Sequence, residues 1–478
     1  MLNPVFIKRL HTILGDMGLK TSVAQRFTYA SDAYTLEKHP PAAVALPKTT
    51  QEVSAIVSLC AEYSIPIVPR GAGTGLAGGA TASEEAIILC LSRMNTILKV
   101  DIPNRRVHAE AGVVNTALTQ AVASAGFLYA PDPSSQSAST VGGNLANNAG
   151  GPHTLKYGVT ANHILGATIV LTDGEVVHLE LNQPGVDLLG IICGSEGTLA
   201  IVTEVIVRIV RAPEAVRTLL AICPDVATAT GIISSIIAAG IIPAALEMID
   251  QTIIHVVEEA YKIGLPLDAG AVLLIEVDGP EAGIDRQVEH ISQICHDGGV
   301  MRLELATDPI KRANLWLARK KASGALGRLA PSHATQDGVV PRTKLPEILT
   351  KIEAIAAKYD LRIANVFHAG DGNLHPIVLF DERDKEQVKR VIAAGGEILR
   401  ACVEAGGTLT GEHGIGLEKQ EFMGLIFTDE DLALQQRVRG VFNPIGMLNP
   451  GKIFPLHNTC CMHLDRPNDS ALDALASA

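Results

Sequence analysis

Apolar and polar positions alternate with two different periods along the first 210 residues of the chain. Residues 50–63 (TQEVSAIVSLCAEY) and 116–126 (TALTQAVASAG) repeat apolar positions at helical spacing, which predicts helices, and residues 1–37 are also expected to be mainly helical. Short runs rich in Val and Ile, bounded by Gly, Pro or charged residues, predict strands. These runs are IPIVP (65–69), AIILCL (86–91), RRVHAEAGV (105–113), ATIVLT (167–172), GEVVHLE (174–180) and GTLAIVTEVIVRIV (197–210).

Longer helical segments dominate the second part of the chain. They alternate with strand patterns such as AVLLIEVDG (271–279) and RIANVFHAGDG (362–372), which predicts an α+β layer with helices on one face of its sheet. The composition changes at residues 211–213, which we take as a domain boundary. After residue 410 the chain is first glycine-rich and then helical, and the pattern fades after Pro455, as is typical of a frayed terminus.

One apolar segment is long enough to raise the question of a membrane span. Val226 to Leu246 is 21 residues without a charge, and a spanning helix needs about 20 apolar residues. The segment, however, contains Pro243 and several Gly, Ser and Thr residues. It predicts a helix near 224–239 followed by a strand at GIIPAALEMI (240–249), and no transmembrane segment.

Composition and charge narrow the function classes. The chain has 478 residues, of which 47% are hydrophobic and 19% charged, so we expect a well-packed protein of two or three domains. The net charge of −12 and the lack of a basic block argue against nucleic-acid binding. Its eight cysteines follow no repeated spacing, which indicates reduced thiols in a cytoplasmic protein. The sequence contains no C-x-x-C-x-x-C run, so we do not expect the chain to hold an iron–sulfur cluster by itself.

The loop PRGAGTGLAGG (69–79) contains a literal dinucleotide fingerprint. Gly73, Gly75 and Gly78 have the required spacing, and Asp101 lies at about the distance of a ribose-binding acid. That fingerprint must open a helix, but a polar turn and the run AIILCL follow here, so we reject a Rossmann site. The glycines still permit successive backbone N–H groups to cradle a pyrophosphate. A glycine-rich turn without a ligand is the alternative.

Further polar loops join this one in a recognisable order. Five segments together resemble the PCMH-type FAD-binding domain of the vanillyl-alcohol oxidase superfamily. They are PRGAGTGLAGG, PDPSSQ (131–136), GGNLANNAGG (142–151), KYG (156–158) and GSEGTLAIVTEV (194–205). With HAGDGNLHP (368–376), GEHGIGLEK (411–419) and LNPGKIFP (448–455), the resemblance narrows to the FAD-linked 2-hydroxy-acid dehydrogenases, and within these to the FAD-binding subunits of bacterial glycolate oxidases. It covers about residues 30–455.

The resemblance implies a fold and its domain limits. The fold is α+β, with a two-subdomain PCMH-type FAD-binding domain, an α+β cap domain built on an antiparallel sheet, and a C-terminal helical segment that returns to the flavin. We place an N-terminal helical segment at 1–37, the FAD-binding domain at 38–212, the substrate or cap domain at 213–410, the segment completing the active site at 411–457, and a disordered tail at 458–478.

The resemblance also implies which residues contact FAD. The first glycine loop would hold the pyrophosphate, and because its tip lacks the histidine to which some relatives attach FAD, we expect non-covalent flavin. The pyrophosphate residues are Pro69, Arg70, Gly71, Ala72, Gly73, Thr74, Gly75 and Leu76. The other residues expected at the flavin are Pro131, Gly142, Gly143, Asn147, Gly150, Gly151, Glu196, Gly197, Ile201 and Asn449.

Two histidines flank the turn in HAGDGNLHP. A hairpin would bring His368 and His375 together, but two imidazoles alone are more often core or surface residues than metal ligands. Glu412, in GEHGIG, could supply a third ligand, and two His with one carboxylate leave an open position on a catalytic divalent metal such as zinc.

The resemblance assigns roles to these residues and to three others. His368, His375 and Glu412 would bind the metal, and His413 would act as general base. Asn373 would touch the substrate, and Arg319, in LWLARKKASG, would bind its carboxylate bidentately. A solvated helix charge is the alternative for Arg319.

The expected reaction is oxidation of a small 2-hydroxy acid, glycolate first, to the 2-oxo acid, with hydride transfer to flavin. Without an iron–sulfur motif in the chain, the electrons must pass to a carrier or to partner subunits. The resemblance implies a second FAD-type subunit and an iron–sulfur subunit, through which a cytoplasmic protein could associate with a membrane. D-lactate or D-2-hydroxyglutarate is the alternative substrate. A non-catalytic flavin-binding subunit and a flavin-free metal hydrolase are the alternatives from other classes.

Overall fold

The computed structural model describes residues 2–455, which contain fourteen α-helices. In chain order, α1 to α14 are Pro4–Gly18, Val23–Phe27, Thr50–Tyr63, Asn115–Val122, Val141–Asn147, Thr154–Tyr157, Leu188–Ile192, Val226–Ala238, Gln251–Tyr261, Glu281–Asp297, Pro309–Leu326, Leu345–Tyr359, Lys385–Glu404 and Asp429–Phe442. The predicted helices at 50–63 and 116–126 are confirmed as α3 and α4. The predicted tail at 458–478 lies outside the described residues.

The described residues also contain nineteen strands. In chain order, β1 to β19 are Leu19–Lys20, Ala43–Ala45, Ile67–Arg70, Ile87–Cys90, Ile97–Asp101, Arg106–Glu110, Phe127–Leu128, Ile164–Val170, Val176–Glu180, Ile201–Arg208, Val210–Arg211, Ala215–Cys223, Ala245–Asp250, Ala271–Gly279, Arg302–Leu305, Ser332–Thr335, Gly338–Val339, Arg362–His368 and Asn373–Phe380. Each strand predicted for the first 210 residues is present.

Two larger sheets and the two-stranded sheet β11-β7 form the first part of the fold. One larger sheet has the strand order β1-β2-β4-β3, with β2 and β3 parallel to β4, and the other is the antiparallel sheet β5-β6-β10-β8-β9. The two larger sheets share one hydrophobic core with α1 and α3, which includes Phe6, Ile56 and Val205. The strand β1 interrupts the N-terminal segment that the sequence predicts as helical, because Leu19 and Lys20 pair with β2 and make β1 the edge strand of this sheet.

A single eight-stranded antiparallel sheet dominates the second part, with the order β15-β12-β14-β13-β18-β19-β16 and β17 paired to β19. Helices cover both of its faces, so the expectation of helices on one face is wrong. One face packs on α8, α10, α12 and α13, and the other on α9 and α11. The physical reason is that the central strands are apolar at successive positions: Ala271 to Val277 are all buried, and such a strand needs cover on both sides.

The apolar segment 226–246 divides as predicted, into the helix α8 and the strand β13. No helix within residues 2–455 is both long and apolar enough to cross a membrane. The sheets of the first part end at Arg211 and the large sheet begins at Ala215, on either side of the predicted domain boundary. The domain limits themselves stay predictions.

The C-terminal segment returns to the first part of the fold after α14. Leu448 forms a parallel bridge with Ile67, and the Asn449 N–H donates to the Ile67 carbonyl at 2.7 Å. The Lys452 ammonium is buried and donates to the Thr81 carbonyl at 2.7 Å. These contacts seat residues 411–455 against the first glycine loop.

Candidate active site

A cavity of about 450 Å³ lies where the first glycine loop, the polar segments PDPSSQ (131–136) and GGNLANNAGG (142–151), and the large sheet meet. Seventeen of the predicted site residues line it. They are Pro69, Arg70, Gly71, Ala72, Gly73, Thr74, Gly75, Leu76, Gly142, Gly143, Asn147, Glu196, Gly197, Arg319, His375, Glu412 and His413. The structure therefore brings the expected flavin loops and most of the expected catalytic residues to one cavity.

Seven predicted residues do not line the cavity: Pro131, Gly150, Gly151, Ile201, His368, Asn373 and Asn449. For Ile201 the reason is strand alternation, because Ala200 and Val202 face the cavity and Ile201 joins the core behind it. Pro133, Ser134 and Ser135 line the cavity in place of Pro131. These seven residues therefore do not line the cavity, although His368 reaches Glu412 behind it, and their expected roles stay predictions.

The first glycine loop has a conformation that requires its glycines. Gly73 has φ +73°, and a Cβ there would lie 2.1 Å from Nη2 of Arg70. A Cβ on Gly71 would lie 2.3 Å from Oγ1 of Thr140, at the start of α5. The next element is the strand β4, with no helix between Gly79 and Ile87, which confirms that the loop is not a Rossmann turn. The loop therefore presents close-approaching backbone to the cavity.

Asn449 and Glu196 hold the loops around the cavity. The Asn449 amide donates to the carbonyls of Gly79 and Glu196, at 2.9 and 2.7 Å. The Glu196 carboxylate accepts from the N–H groups of Ile415 and Gly416, each at 2.8 Å. Asn449 thus supports the flavin loops from behind rather than from the cavity, and Glu196 joins them to the C-terminal segment.

The hairpin β18–β19 brings the two predicted metal-binding histidines together. Their rings lie 5.1 Å apart between centroids. Nε2 of His368 and Nε2 of His375 lie 3.2 and 3.3 Å from the same oxygen, Oε1 of Glu412. A Cβ on Gly150 would lie 3.2 Å from the other carboxylate oxygen of Glu412. The three predicted ligands therefore converge beside the flavin loops.

The three residues fit a divalent metal. His375 Nε2 is buried and makes no hydrogen bond within the described part of the chain. His368 Nδ1 lies 2.7 Å from Oε1 of Glu247, the carboxylate–histidine arrangement that commonly orients a metal ligand. Burial raises the pKa of Glu412, but the charge and hydrogen bond of His368 outweigh it and lower that pKa to about 2. An ionised carboxylate and an unpaired imidazole nitrogen are the donors that such a metal needs.

Asp337, which sequence reasoning missed, is a second carboxylate at this cluster and fully buried. It lies 3.5 Å from His375 Nε2 and could complete an alternative ligand set with His413. Its oxygens, however, accept from the N–H groups of His413 and Gly411, the Thr410 hydroxyl and the buried Lys419 ammonium. Asp337 therefore anchors the loop that carries Glu412, and the Glu412 set is the better metal site.

Arg319 lies on α11, a helix that begins with Asp308 accepting from the N–H groups of Ile310 and Lys311, both at 2.9 Å. Nε of Arg319 donates to Oε2 of Glu247 at 2.5 Å. Its two terminal nitrogens make no hydrogen bond within residues 2–455, and Arg319 lines the cavity. Glu247, also missed by sequence reasoning, thus holds both the arginine and His368.

His413 stacks on His375, with ring centroids 4.9 Å apart and an interplanar angle of 8°. Burial and the neighbouring His375 lower the pKa of His413 to about 4, against the opposing charge of Asp337. Its imidazole is therefore neutral at neutral pH and able to accept a proton. Asn373 is buried beside Gly411, where a Cβ would lie 2.5 Å from the Asn373 amide, so it packs under the GEHG loop.

Comparison with known proteins decides the family. Residues 212–453 match the family described as FAD linked oxidases, C-terminal domain, and residues 41–180 match the family described as FAD binding domain. The chain belongs to the FAD-linked oxidases. It is 42% identical over 435 residues to the glycolate oxidase subunit GlcD of Escherichia coli K12, covering 90% of this chain and 87% of that protein. It is 33% identical to a D-lactate dehydrogenase of Anaerostipes hadrus, covering 85% of this chain and 88% of that protein.

The same fold occurs in solved structures of low sequence identity. This FAD-linked oxidase superposes on p-cresol methylhydroxylase with a TM-score of 0.79 at 16% identity, covering 95% of this chain and 97% of that one. The predicted α+β fold of the PCMH type is thereby confirmed. An FAD-binding domain is also confirmed by the family match.

Proposed function

We propose that this FAD-linked oxidase oxidises a small 2-hydroxy acid, with glycolate as the preferred substrate, to the corresponding 2-oxo acid. One observation carries the proposal: His375, Glu412 and His413 line the same cavity as the glycine loop that suits FAD. Metal ligands and a proton acceptor next to a flavin site support dehydrogenation and argue against a flavin-free hydrolase. The 42% identity to a glycolate oxidase subunit supports glycolate.

Two cofactors fit the residues of the cavity. FAD would bind non-covalently along residues 69–76, since the tip of that loop, Gly71 to Thr74, contains no histidine to which the flavin could be attached. His368, His375 and Glu412 would hold a divalent metal such as zinc. When bound, FAD accepts a hydride equivalent, and the metal lowers the pKa of a ligated hydroxyl group.

The substrate carboxylate would pair with Arg319. Its Nε is held by Glu247, which leaves the two terminal nitrogens free to donate to both carboxylate oxygens. Ala322, Val366 and Ile377 add apolar lining to the same cavity.

His413 would take the hydroxyl proton at Nε2, which lies 3.9 Å from the Glu412 oxygen shared by both histidines. The opposite nitrogen, Nδ1, lies 4.0 Å from Oδ2 of Asp337. The Asp337 charge would stabilise the imidazolium formed when His413 accepts the proton. Loss of the α-hydrogen as hydride then completes the two-electron oxidation to the 2-oxo acid.

D-lactate is the second candidate substrate, supported by the 33% identity to a D-lactate dehydrogenase over 85% of this chain. D-2-hydroxyglutarate would need a second cation for its distal carboxylate. Lys320, which follows Arg319 in the chain and also lines the cavity, would provide it.

We propose that the two electrons leave through partner subunits, as expected of a glycolate oxidase complex with a second FAD-type subunit and an iron–sulfur subunit. The similarity to proteins named as subunits supports this. We propose a cytoplasmic location, with attachment to a membrane through those subunits as the alternative.

Dye-linked turnover of glycolate, D-lactate and D-2-hydroxyglutarate, each with and without chelator, tests the proposed function. We expect turnover of glycolate that chelator abolishes and a divalent metal restores. Equal rates with and without a chelator that removes the metal would contradict the metal's role, and no turnover of any of the three acids would contradict the reaction.

A further inference from the structure

Glu276 on β14 is another buried carboxylate, and it accepts hydrogen bonds from two other elements of the large-sheet part, β12 and α11. It accepts from the Thr218 hydroxyl at 2.6 Å and from the Trp316 indole N–H at 2.8 Å. Arg312 donates to both oxygens of Glu276, at 2.9 and 2.8 Å. Because Arg312 and Trp316 both lie on α11, Glu276 anchors this helix to the sheet.

His153 reaches Glu276 from the other side, out of the polar stretch that follows the flavin loops. Its Nε2 lies 3.4 Å from Glu276, and its Nδ1 lies 2.7 Å from Asp132. The imidazole stacks on the Trp316 ring, with centroids 5.4 Å apart. Burial lowers the pKa of His153, but the charges and hydrogen bonds of Asp132 and Glu276 outweigh it and raise that pKa to about 10. The imidazolium therefore donates to both carboxylates at neutral pH.

The same helix face carries the substrate-binding arginine. Arg312, Trp316 and Arg319 are spaced four and three residues apart on α11, so they lie on one face. Their acceptors, Glu276 and Glu247, also share a face of the sheet, because Glu276 lies opposite Ala245, two residues before Glu247. Two buried glutamates on neighbouring strands thus accept hydrogen bonds from side chains on successive turns of α11.

We infer that His153 is a positioning residue, which joins the flavin-binding part of the chain to α11 through Glu276 and so sets the place of Arg319 relative to the flavin. The inference rests on the proposed function for the role of Arg319, but the contact itself does not. His153 touches neither the cavity nor the expected metal ligands. Its removal should loosen α11 while leaving the groups that bind flavin and metal in place.

The test compares His153→Ala and the milder His153→Gln in the flavin-loaded protein, with His108→Gln as the matched control. His108 is also paired with a glutamate, Glu204, at 2.9 Å, but in the antiparallel sheet β5-β6-β10-β8-β9 and away from the cavity. The measurements are flavin content, amide hydrogen exchange of residues 309–326, and kcat and KM for glycolate. We expect faster exchange of α11 and a KM raised about tenfold in His153→Ala, with unchanged flavin content and a smaller change in kcat.

The outcomes separate this inference from the proposed function. Unchanged exchange of α11 and an unchanged KM in His153→Ala and His153→Gln would overturn the inference. A rise in KM in His108→Gln equal to that in His153→Gln would also overturn the inference, because the effect would then not be specific to the contact of His153 with Glu276. If the wild type oxidises no hydroxy acid but α11 exchanges faster in His153→Ala, the proposed function fails and the structural contact stands.

A double variant with Arg312→Ala provides a second test that does not depend on one substitution. Both side chains act on α11 through Glu276, so the rise in KM of His153→Ala with Arg312→Ala should be smaller than the product of the single effects. Independent, multiplicative effects would overturn the inference.

Discussion

Glu247 Oε1 lies 2.7 Å from Nδ1 of His368, and the other oxygen of the same carboxylate accepts from Nε of Arg319. The residue expected to bind the substrate carboxylate and one expected metal ligand are therefore oriented by one buried group. Burial raises the pKa of Glu247, but the charges of His368 and Arg319 outweigh it and lower that pKa, so the group is ionised. Neither partner can move without breaking a charged hydrogen bond.

Glu247→Gln should weaken both functions of this carboxylate. The amide retains the shape of the side chain but can offer only one acceptor oxygen to two donors. We expect metal affinity to fall by about 10- to 100-fold, as is usual for loss of such a supporting group, together with a higher KM for glycolate. Metal titration and steady-state kinetics measure the two effects. A rise in KM alone, with unchanged metal affinity, would contradict the role at His368.

His375→Ala should remove the metal together with turnover. The variant loses the imidazole whose Nε2 has no hydrogen-bond partner among residues 2–455, so no hydrogen bond of that nitrogen is broken. We expect the flavin absorbance to persist while metal content, measured by elemental analysis, falls to background. His255→Ala, an exposed histidine on α9, is the control and should change nothing. Full metal content in His375→Ala would exclude the proposed ligand set.

Arg319→Lys keeps the charge but loses the two parallel donors of a guanidinium. A hydrogen bond to a charged group contributes about 1.5–3 kcal/mol, so we expect KM for glycolate to rise by about 10- to 100-fold. Arg328→Lys, on the exposed residue just beyond α11, is the matched control. Equal KM values for wild type and Arg319→Lys would remove Arg319 from the substrate site.

The cluster of His368, His375 and Glu412 could be predicted from sequence because its residues lie in two short motifs with distinctive turns. Glu247 and Asp337 could not, since they lie 121 and 75 residues from the partners His368 and Glu412. Only the long-range sheet pairing and loop packing bring them together. One local signal was present: an isolated acidic residue inside an apolar strand, as in ALEMI and AVLLIEV, indicates a buried carboxylate that needs a partner.

The helices that cover the large sheet could also be predicted only in part from the local sequence. An unbroken apolar run such as AVLLIEV indicates a strand covered on both faces, whereas alternating positions indicate one covered face. The helices on the second face include α11, which carries Arg319. Which face a helix covers depends on chain connectivity that the local pattern does not contain, so the approach of Arg319 to Glu247 follows only from the assembled fold.

Glu418 should make stability depend on pH. Burial, with the nearby Asp337 charge, raises the pKa of Glu418 to about 7, although Lys419 opposes the shift. The native state therefore binds a proton that the unfolded state has lost. The protonated Glu418 side chain contributes fully to the free energy of unfolding below about pH 4.5, the ordinary pKa of a glutamate. This contribution is lost as the pH rises through the folded-state pKa of about 7.

The corresponding variant is Glu418→Gln, which stays neutral at every pH. At about 1.36 kcal/mol per pKa unit, the wild type should lose up to about 3 kcal/mol relative to this variant between pH 4.5 and pH 8. Denaturation midpoints at the two pH values measure the difference. Glu353→Gln, on the exposed side of α12, is the control and should follow the wild type. Parallel pH profiles for wild type and Glu418→Gln would contradict the shift.

The central claim is that the histidine and glutamate cluster abstracts a proton next to the flavin. Anaerobic mixing of the flavin-loaded protein with glycolate, followed by flavin absorbance, tests it most directly in wild type and His413→Ala. We predict rapid bleaching of the flavin in the wild type and a rate at least about 100-fold lower in His413→Ala, within the usual range for loss of a general base, with equal flavin and metal content. Equal rates of flavin reduction in the two proteins would contradict the account.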